Sequence, residues 1–387
     1  MPLRFQLIIV MALRTVLNTA HRMVYPFLAV FARGLGVDIT ALSLALTGRS
    51  VAGAFVPFVS SVADQRGRRF GMLAGAALFT LGVGLVAVMP SLWTLTAALI
   101  LAMLGKYLFD PSMQAYFGDR IPYQRRGLAL AVTEVSWSLA FIVGVPAMGY
   151  LIARSGWSAP FPLLALLGVG MFAVIWWMTP RRDPNHAPAN SPWANFGVVL
   201  RNVPALAAIS VALWASAANE LVNLIFGVWL EDSFGLQIAA LAGASAIIGL
   251  SELSGEGLVA LLTDRLGKPR ALAFGLTGNA LACLLLPFVG RTQAGALLGL
   301  TLFYITFEFI MVSHIPLMTE VMPGARATML SFNLTGHSLG RALGAFLAAF
   351  IYRKFGFFAV ALLALTFNLF ALLALRRLAR DARLQEA

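Results

Sequence analysis

The sequence predicts an all-α membrane protein of twelve transmembrane helices, built as two parallel six-helix repeats. Composition, the spacing of apolar segments and an internal repeat each point to this fold. The 387 residues are 60% hydrophobic and only 11% charged, whereas a soluble protein carries roughly 25% charged residues. Because so few polar residues could not cover a water-soluble core of this size, the membrane class is the better interpretation.

Apolar segments long enough to cross a bilayer recur along the whole chain. A spanning helix needs roughly 20 mostly apolar residues, and helices satisfy their own backbone hydrogen bonds in lipid. The predicted segments, named span 1 to span 12, are 5–31, 39–63, 70–90, 92–118, 127–153, 160–179, 203–230, 238–262, 271–290, 294–319, 327–353 and 357–378. No clear small-residue cleavage site ends span 1, so we interpret it as a retained helix and not a signal peptide.

Basic residues are distributed unevenly between the loops. Most lysines and arginines fall on the side that holds both termini, and the positive-inside rule therefore predicts that both termini are cytoplasmic. We expect a multi-pass protein of a bacterial inner membrane, because the loops are compact. This topology also explains the net charge of +12 without a nucleic-acid partner.

One loop sequence occurs twice. The stretch "SSVADQRGRR" between spans 2 and 3 returns as "LLTDRLGKPR" between spans 8 and 9. Asp64 and Gly67 match Asp264 and Gly267 with the same offset of 200 residues. Six spans bring the chain back to the same side, so the repeats are parallel, and such proteins bind substrate near the midplane between their halves.

The repeat predicts the domain organisation. The predicted units are an N-terminal six-helix bundle at 1–178, a Pro-rich cytoplasmic linker at 179–202, and a C-terminal six-helix bundle with a short basic tail at 203–387.

The loop motifs and the number of spans resemble the major facilitator superfamily. Its loop between helices 2 and 3 has the form G-x-x-x-D-[RK]-x-G-R-[RK], from which this chain departs at Ser60 and Gln65. The resemblance implies a secondary transporter that works by alternating access, with a cytoplasmic gating loop that locks the two halves together. The predicted gating residues are Asp64, Gly67, Arg68, Arg69, Asp119, Asp264, Arg265 and Gly267.

Ionisable side chains inside the spans are functional candidates, because charge is costly in hydrocarbon. The candidates for proton coupling are Glu252, Glu256, Glu308, Glu220, Glu134 and Asp110. The candidates for lining a substrate cavity are Asn18, His21, Arg22, Tyr25, Arg49, Lys106, Asn223 and Arg341. Most of the basic candidates lie in the first half and most of the acids in the second, so we expect ion pairs between the halves.

One acid of the Glu252 and Glu256 pair is expected to hold a proton. Glu252 and Glu256 are four residues apart on one face of span 8, and two such carboxylates in a low dielectric are not both ionised. Glu308 is expected either to be protonated or to pair with Arg341 or another base. The alternative for each acid is a structural ion pair without a coupling role.

Other charges have local explanations. Lys106 and Asp110 are expected to pair along one helix face, and Arg14 to reach toward the inner surface. Glu134 is expected to meet arginines of the inner loops. On span 11 the spacing of Gly336, Gly340 and Gly344 predicts a ridge for close helix packing.

The function predicted from these features is proton-coupled efflux of small amphipathic or toxic molecules. "YPFL" in span 1 resembles the twelve-helix drug:proton antiporters of the superfamily, whereas "GVPAMG" in span 5 lacks their adjacent Gly-Pro pair. The alternatives are proton-coupled uptake of a nutrient or organic anion, with Arg22, Arg49 and Lys106 as counter-charges, and a receptor or scaffold derived from a transporter.

The sequence shows no enzyme signature. It has no G-x-x-x-x-G-K-[ST] loop for ATP, and its four histidines lack metal-ligand spacing. We therefore expect no enzyme activity, no cofactor and no metal. The expected partners are a small-molecule substrate, protons and the lipid bilayer, and the expected state is a monomer.

Overall fold

The computed structural model describes residues 2–58, 66–121, 132–180, 196–322, 324 and 326–379, and these residues form helices and no strand. The helices are Leu3–Arg22 and Leu28–Leu35 (span 1), Ile39–Gly53 (span 2), Arg68–Val88 (span 3), Leu92–Gly118 (span 4), Val132–Ser155 (span 5), Pro160–Met178 (span 6), Val203–Phe234 (span 7), Ile238–Leu266 (span 8), Lys268–Val289 (span 9), Gln293–Val321 (span 10) and Arg326–Leu378 (spans 11 and 12). A short helix, Phe196–Arg201, precedes span 7, and the predicted linker lies outside the described residues from 181 to 195.

The helices are consistent with the predicted count of spans. In the described part of the chain, 10 helices are long and apolar enough to cross a membrane. The last of them, Thr328–Leu378, has 51 residues, or about 76 Å, more than twice the hydrocarbon thickness of roughly 30 Å. It breaks at Gly356, where the backbone leaves the helical region (φ 73°, ψ −177°), and so accounts for spans 11 and 12. Helices Leu28–Leu35 and Ile39–Gly53 meet at 112°, where span 1 ends and span 2 begins.

The sequence repeat is also a repeat of the backbone. Six glycines in the described residues have positive φ, a region that side chains disfavour. They form three pairs across the repeat: Gly36 and Gly235 (65° and 66°), Gly67 and Gly267 (95° and 76°), and Gly156 and Gly356 (88° and 73°). The two halves therefore turn at equivalent positions. The end of the bundle with Gly67 and Gly267 is called the basic end below, and the other the opposite end.

A break in span 1 brings the two halves into backbone contact. The helix that ends at Arg22 resumes only at Leu28, because Pro26 has no N–H to continue the ladder. Gly227 of span 7 packs against this break, and a methyl group there would lie only 2.4 Å from the Pro26 carbonyl oxygen. The contact therefore needs a glycine.

The glycine ridge of span 11 packs against span 7, as its spacing predicted. A methyl group at Gly340 would lie 2.0 Å from the Leu213 carbonyl oxygen, and one at Gly344 would lie 2.7 Å from that of Ala217. These two helices of the second half thus meet backbone to backbone.

The halves also meet along two symmetric helix pairs. Span 2 meets span 11, where the Ser43 hydroxyl donates to the Ala345 carbonyl. Span 5 meets span 8, where a methyl group at Gly249 would lie 2.9 Å from the Ser138 carbonyl oxygen. Arg22 and Glu252 lie between these contacts, near the centre of the bundle.

Candidate functional site

A buried ion pair joins the two halves at the centre of the bundle. Arg22, at the last helical turn before the Pro26 break, donates to both carboxylate oxygens of Glu252 on span 8, at 2.7 and 2.6 Å. Their side chains are each only 3% exposed. Arg22 also donates to the Trp137 carbonyl at 3.0 Å and lies 3.4 Å above the Phe141 ring. A bidentate pair supported by an aromatic face is geometrically specific as well as strong.

A second cross-half contact surrounds Glu220 of span 7. The Tyr25 hydroxyl donates to one oxygen of Glu220 at 2.8 Å, and an Arg49 nitrogen lies 3.9 Å from the same oxygen. Arg49 also donates to the Tyr25 hydroxyl and to the His21 carbonyl. The other oxygen of Glu220 is buried and has no hydrogen-bond partner in the described residues. The expected ion pairs between the halves are therefore present, while the functional roles of these residues remain predictions.

The remaining acids of the second half gather beside Glu252. Glu256 faces the Ser138 hydroxyl of span 5 at 3.5 Å. A methyl group at Gly255 would lie 3.0 Å from the Glu308 Cβ, so the close approach of spans 8 and 10 places Glu308 beside the other two. The three acids thus share one region, in which Arg22 pairs with Glu252.

Of the two alternatives expected for Glu308, pairing with Arg341 or another base is not found in the described residues, and protonation stays a prediction. No carboxylate lies within ion-pair distance of Arg341, and no base pairs with Glu308. Span 10 turns Glu308 toward Gly255 of span 8, whereas Arg341 faces the Trp137 ring of span 5.

The first half holds its own charge network near the basic end. Lys106 and Asp110 pair at 2.7 Å, as predicted, and Lys106 also donates to Asn18 at 2.6 Å. Arg14 binds Asp110 at 3.1 Å and Glu134 at 2.9 Å. Each charge is therefore matched within spans 1, 4 and 5.

One expectation about this network is wrong. Arg14 does not reach the surface and is only 5% exposed, because Asp110 and Glu134 offer counter-charges inside the bundle. Glu134 meets Arg14 and also accepts from Gln114 at 3.4 Å. Arg125 and Arg126 of the neighbouring inner loop lie outside the described residues, so the expected contact of Glu134 with loop arginines stays a prediction.

Trp137 is a central residue that the sequence did not single out. Its ring lies 4.2 Å from the Arg22 guanidinium, 5.7 Å from the Lys106 ammonium and 5.9 Å from the Arg341 guanidinium. The His21 ring centroid is 6.0 Å away. Eight tryptophans occur in the chain, and no pattern around position 137 distinguishes this one. Only the tertiary structure brings cations from spans 1, 4 and 11 to one ring.

Asn223 is the remaining cavity candidate. Its side-chain oxygen accepts from the Tyr304 hydroxyl at 2.7 Å, and both residues are buried. This contact joins spans 7 and 10 within the second half.

The predicted gating loop is described only in part. Arg68 lies 3.5 Å from Asp119, and Lys268 pairs with Glu320 at the equivalent position of the second half. Both pairs join neighbouring spans of one half. Arg69 donates to the Trp176 carbonyl at 3.0 Å.

The other gating candidates show no contact between the two halves in the described residues. Asp64 lies outside the described residues, as does the side chain of Asp264. Arg265 is exposed beside Gly267. The lock between the halves therefore remains a prediction.

Charged residues also connect the halves at the opposite end. Arg33 pairs with Glu231 at 2.6 Å, and Arg353 pairs with Asp38. Arg33, Asp38 and Arg353 border a pocket of about 750 Å³, whose wall also includes Trp229. The two halves are thus in contact at this end.

Comparison with known proteins agrees with this architecture. A sequence model described as Major Facilitator Superfamily matches residues 10–322, and a second match covers residues 215–386. The chain belongs to the Major Facilitator Superfamily. Its all-α fold of two parallel repeats is the fold of a multi-pass membrane transporter of this superfamily.

Similar superfamily members come from several bacteria. The inner membrane transport protein YdhP of Escherichia coli K12 is 27% identical over 321 residues, covering 82% of this chain and 81% of YdhP. The multidrug resistance protein MdtG of Proteus mirabilis is 21% identical over 353 residues, covering 87% of each chain. YwfA of Bacillus subtilis, an uncharacterized transporter of the same superfamily, is 23% identical over 348 residues, 87% of this chain and 83% of YwfA.

Solved structures of the superfamily share the fold. A bacterial homolog of the human lysosomal transporter Spinster, in an inward-facing and unoccupied conformation, superposes with a TM-score of 0.80 at 15% identity, covering 98% of both chains. A POT family transporter in complex with a thioalcohol-conjugated peptide gives a TM-score of 0.77 at 14% identity, covering 95% of this chain and 94% of the other.

Proposed function

We propose that this protein is a proton-coupled exporter of small amphipathic molecules that works by alternating access between its two halves. The observation that carries the proposal is the buried Arg22–Glu252 pair, which joins a base of the first repeat to an acid of the second.

The pair links protonation to the contact between the halves. A buried ion pair is stable only while both charges are present, because removing one leaves the other uncompensated. A proton on Glu252 cancels its charge and releases Arg22, so the contact between spans 1 and 8 weakens. Glu256 and Glu308 lie beside Glu252 and are the side chains to which that proton passes next.

Such a linkage is what coupling requires. A proton can shift a conformational equilibrium only if it binds one state more tightly than the other. Here the carboxylate of Glu252 has different surroundings in the state with the Arg22–Glu252 pair and in a state in which the halves have separated there, so a proton on Glu252 shifts the balance between the two states.

The direction of transport is supported by a relative. MdtG is named a multidrug resistance protein, and on that likeness we propose that this chain moves its substrate outward. In the same proposal the functional units are 1–178, 179–202 and 203–387, the protein acts as a monomer, and both termini face the cytoplasm of a bacterial inner membrane.

The first experiment uses everted membrane vesicles, a pH-sensitive dye, and cationic, neutral and anionic compounds. The expected result is a loss of the proton gradient when a transported compound is added, only in vesicles that contain the protein. Glu252→Gln is expected to abolish this response while the protein still folds. Glu320→Gln is the matched control, because Glu320 pairs with Lys268 within one half. An unchanged response in Glu252→Gln overturns the coupling role.

Two other functions are tested in the same vesicles. Uptake is distinguished from export by repeating the measurement in right-side-out vesicles, where an uptake system concentrates the compound. A receptor or scaffold binds a compound without any response to the gradient.

A further inference from the structure

The centre of the bundle carries a cation, next to an aromatic ring, that makes no ion pair with an acid in the described residues. Arg341 of span 11 is partly buried and makes no ion pair or hydrogen bond within the described residues. Its guanidinium lies 5.9 Å from the centre of the Trp137 ring, across the boundary between the halves.

The other cations near Trp137 are already matched. Arg22 is held by Glu252 through two hydrogen bonds, and Lys106 is held by Asp110 at 2.7 Å. Arg341 therefore differs from its neighbours in having its charge available to a ligand.

The ionisable groups around Arg341 do not pair with it in the described residues. The ionisable groups that act on it electrostatically are Tyr25, Glu220, Tyr107 and Glu308. Glu220 is held by the Tyr25 hydroxyl at 2.8 Å, and the Tyr107 hydroxyl meets the Ser338 hydroxyl at 3.0 Å across the halves. Neither acid pairs with Arg341, so a ligand anion meets an arginine whose donors are not already in use.

From this arrangement we infer that the protein recognises small aromatic anions, with Arg341 as the counter-charge and Trp137 as the stacking surface. An arginine binds a carboxylate through two parallel hydrogen bonds. The flat indole supports an aromatic ring of the same ligand. The unpaired positive charge of Arg341 beside the ring disfavours an organic cation in the same place. The inference rests on the proposed transport function and specifies the charge of its substrate.

The test compares three ligands of similar shape and different charge. Phenylacetate, phenylacetamide and phenethylammonium are titrated onto the protein in nanodiscs, without a proton gradient, and binding is followed by ligand-observed NMR. Because a hydrogen bond to a charged group is stronger than a neutral one, phenylacetate is expected to bind at least about tenfold more tightly than phenethylammonium.

Variants separate charge from stacking. Arg341→Gln is expected to remove the preference for phenylacetate and leave phenylacetamide within about twofold of the parent. Arg376→Gln, which removes an exposed arginine from the end of span 12, is the matched control and should keep the preference. Trp137→Leu should weaken all three ligands, and Trp137→Phe should restore most of that binding.

Three results overturn the inference: equal or tighter binding of phenethylammonium, a preference for phenylacetate that survives Arg341→Gln, or no binding of any of the three. The proton-coupling proposal is judged separately in the vesicles. Gradient-driven export of a cation would leave that proposal standing and remove this inference. Selective binding of phenylacetate without any gradient response would support this inference and overturn the proton-coupling proposal.

Discussion

Glu252 belongs to the second repeat, yet Arg22 of the first repeat holds both of its carboxylate oxygens, at 2.7 and 2.6 Å. The two residues are 230 positions apart in the chain. The charge of each residue is therefore balanced only while the two halves are in contact at the centre of the bundle.

The first prediction concerns the stability of this pair. Arg22→Gln is expected to lower the free energy of unfolding by about 3–5 kcal/mol, because it leaves Glu252 buried without a counter-charge. Adding Glu252→Gln should recover part of the loss, with a coupling energy of about 1–3 kcal/mol. Denaturant unfolding in detergent of both single variants and the double variant measures this coupling. Strictly additive effects would show that the two charges do not stabilise each other.

The second prediction compares two acids that bind the same arginine. Asp110 holds both Arg14 and Lys106 and is 14% exposed, whereas the Glu134 side chain is 45% exposed. Asp110→Asn is therefore expected to cost about 3–5 kcal/mol, and Glu134→Gln less than about 1 kcal/mol. Denaturant unfolding of the two variants, measured side by side, shows which one loses more stability. Equal losses would contradict the difference in burial between Asp110 and Glu134.

The third prediction tests the backbone contact between spans 7 and 11. Gly340→Ala places a methyl group 2.0 Å from the Leu213 carbonyl oxygen. Overpacking is therefore expected to lower the free energy of unfolding by about 1–3 kcal/mol. Gly84→Ala is the control, because no atom lies within 4 Å of a methyl group there. That change is expected to alter stability by less than about 1 kcal/mol. Thermal unfolding of both variants measures the two losses of stability. If Gly340→Ala unfolds at the same temperature as the parent, the close contact between spans 7 and 11 is refuted.

The fourth prediction tests the charge contacts at the opposite end. Arg33→Glu places two acids together at Glu231, so the halves should separate there more often. Exposed ion pairs contribute at most about 1 kcal/mol, so labelling of an Ala29→Cys reporter should rise by no more than about fivefold. Cys283, the native cysteine, is buried and therefore contributes little to the labelling signal.

Restoring the opposite charge provides the control for that experiment. The double change Arg33→Glu with Glu231→Arg should return labelling to the parent rate, because the pair is rebuilt in reverse. Labelling that stays high in the double variant would assign the effect to lost packing and not to charge.

The sequence predicted the spans well and the pairings in part. Hydropathy locates spanning helices because the bilayer demands a minimum apolar length, and the 200-residue repeat located equivalent turns such as those at Gly67 and Gly267. Lys106 and Asp110 were predictable as partners, because a helix turn sets their distance.

The central contacts could not be predicted in the same way. Whether Arg341 and Glu308 meet depends on how each helix is rotated about its axis. Because these spans are apolar on most faces, no polar stripe in the sequence indicates that rotation. The position of Glu308 depends on the close approach at Gly255, and that of Arg341 on its distance to Trp137. Both are properties of packing between helices.

The contact between Pro26 and Gly227 has a mechanical consequence. It lies nearer the opposite end than the basic end, and its short backbone separation leaves little room for sliding. In the alternating-access mechanism proposed above, the contact therefore acts as a fulcrum. Val203, the first residue of the same helix, is about 36 Å away along the axis at a rise of ~1.5 Å per residue. A tilt of about 10° at the fulcrum moves that residue by about 6 Å, close to one helical pitch. A small angular change at one end is thus amplified by the length of the lever into a wide displacement at the other.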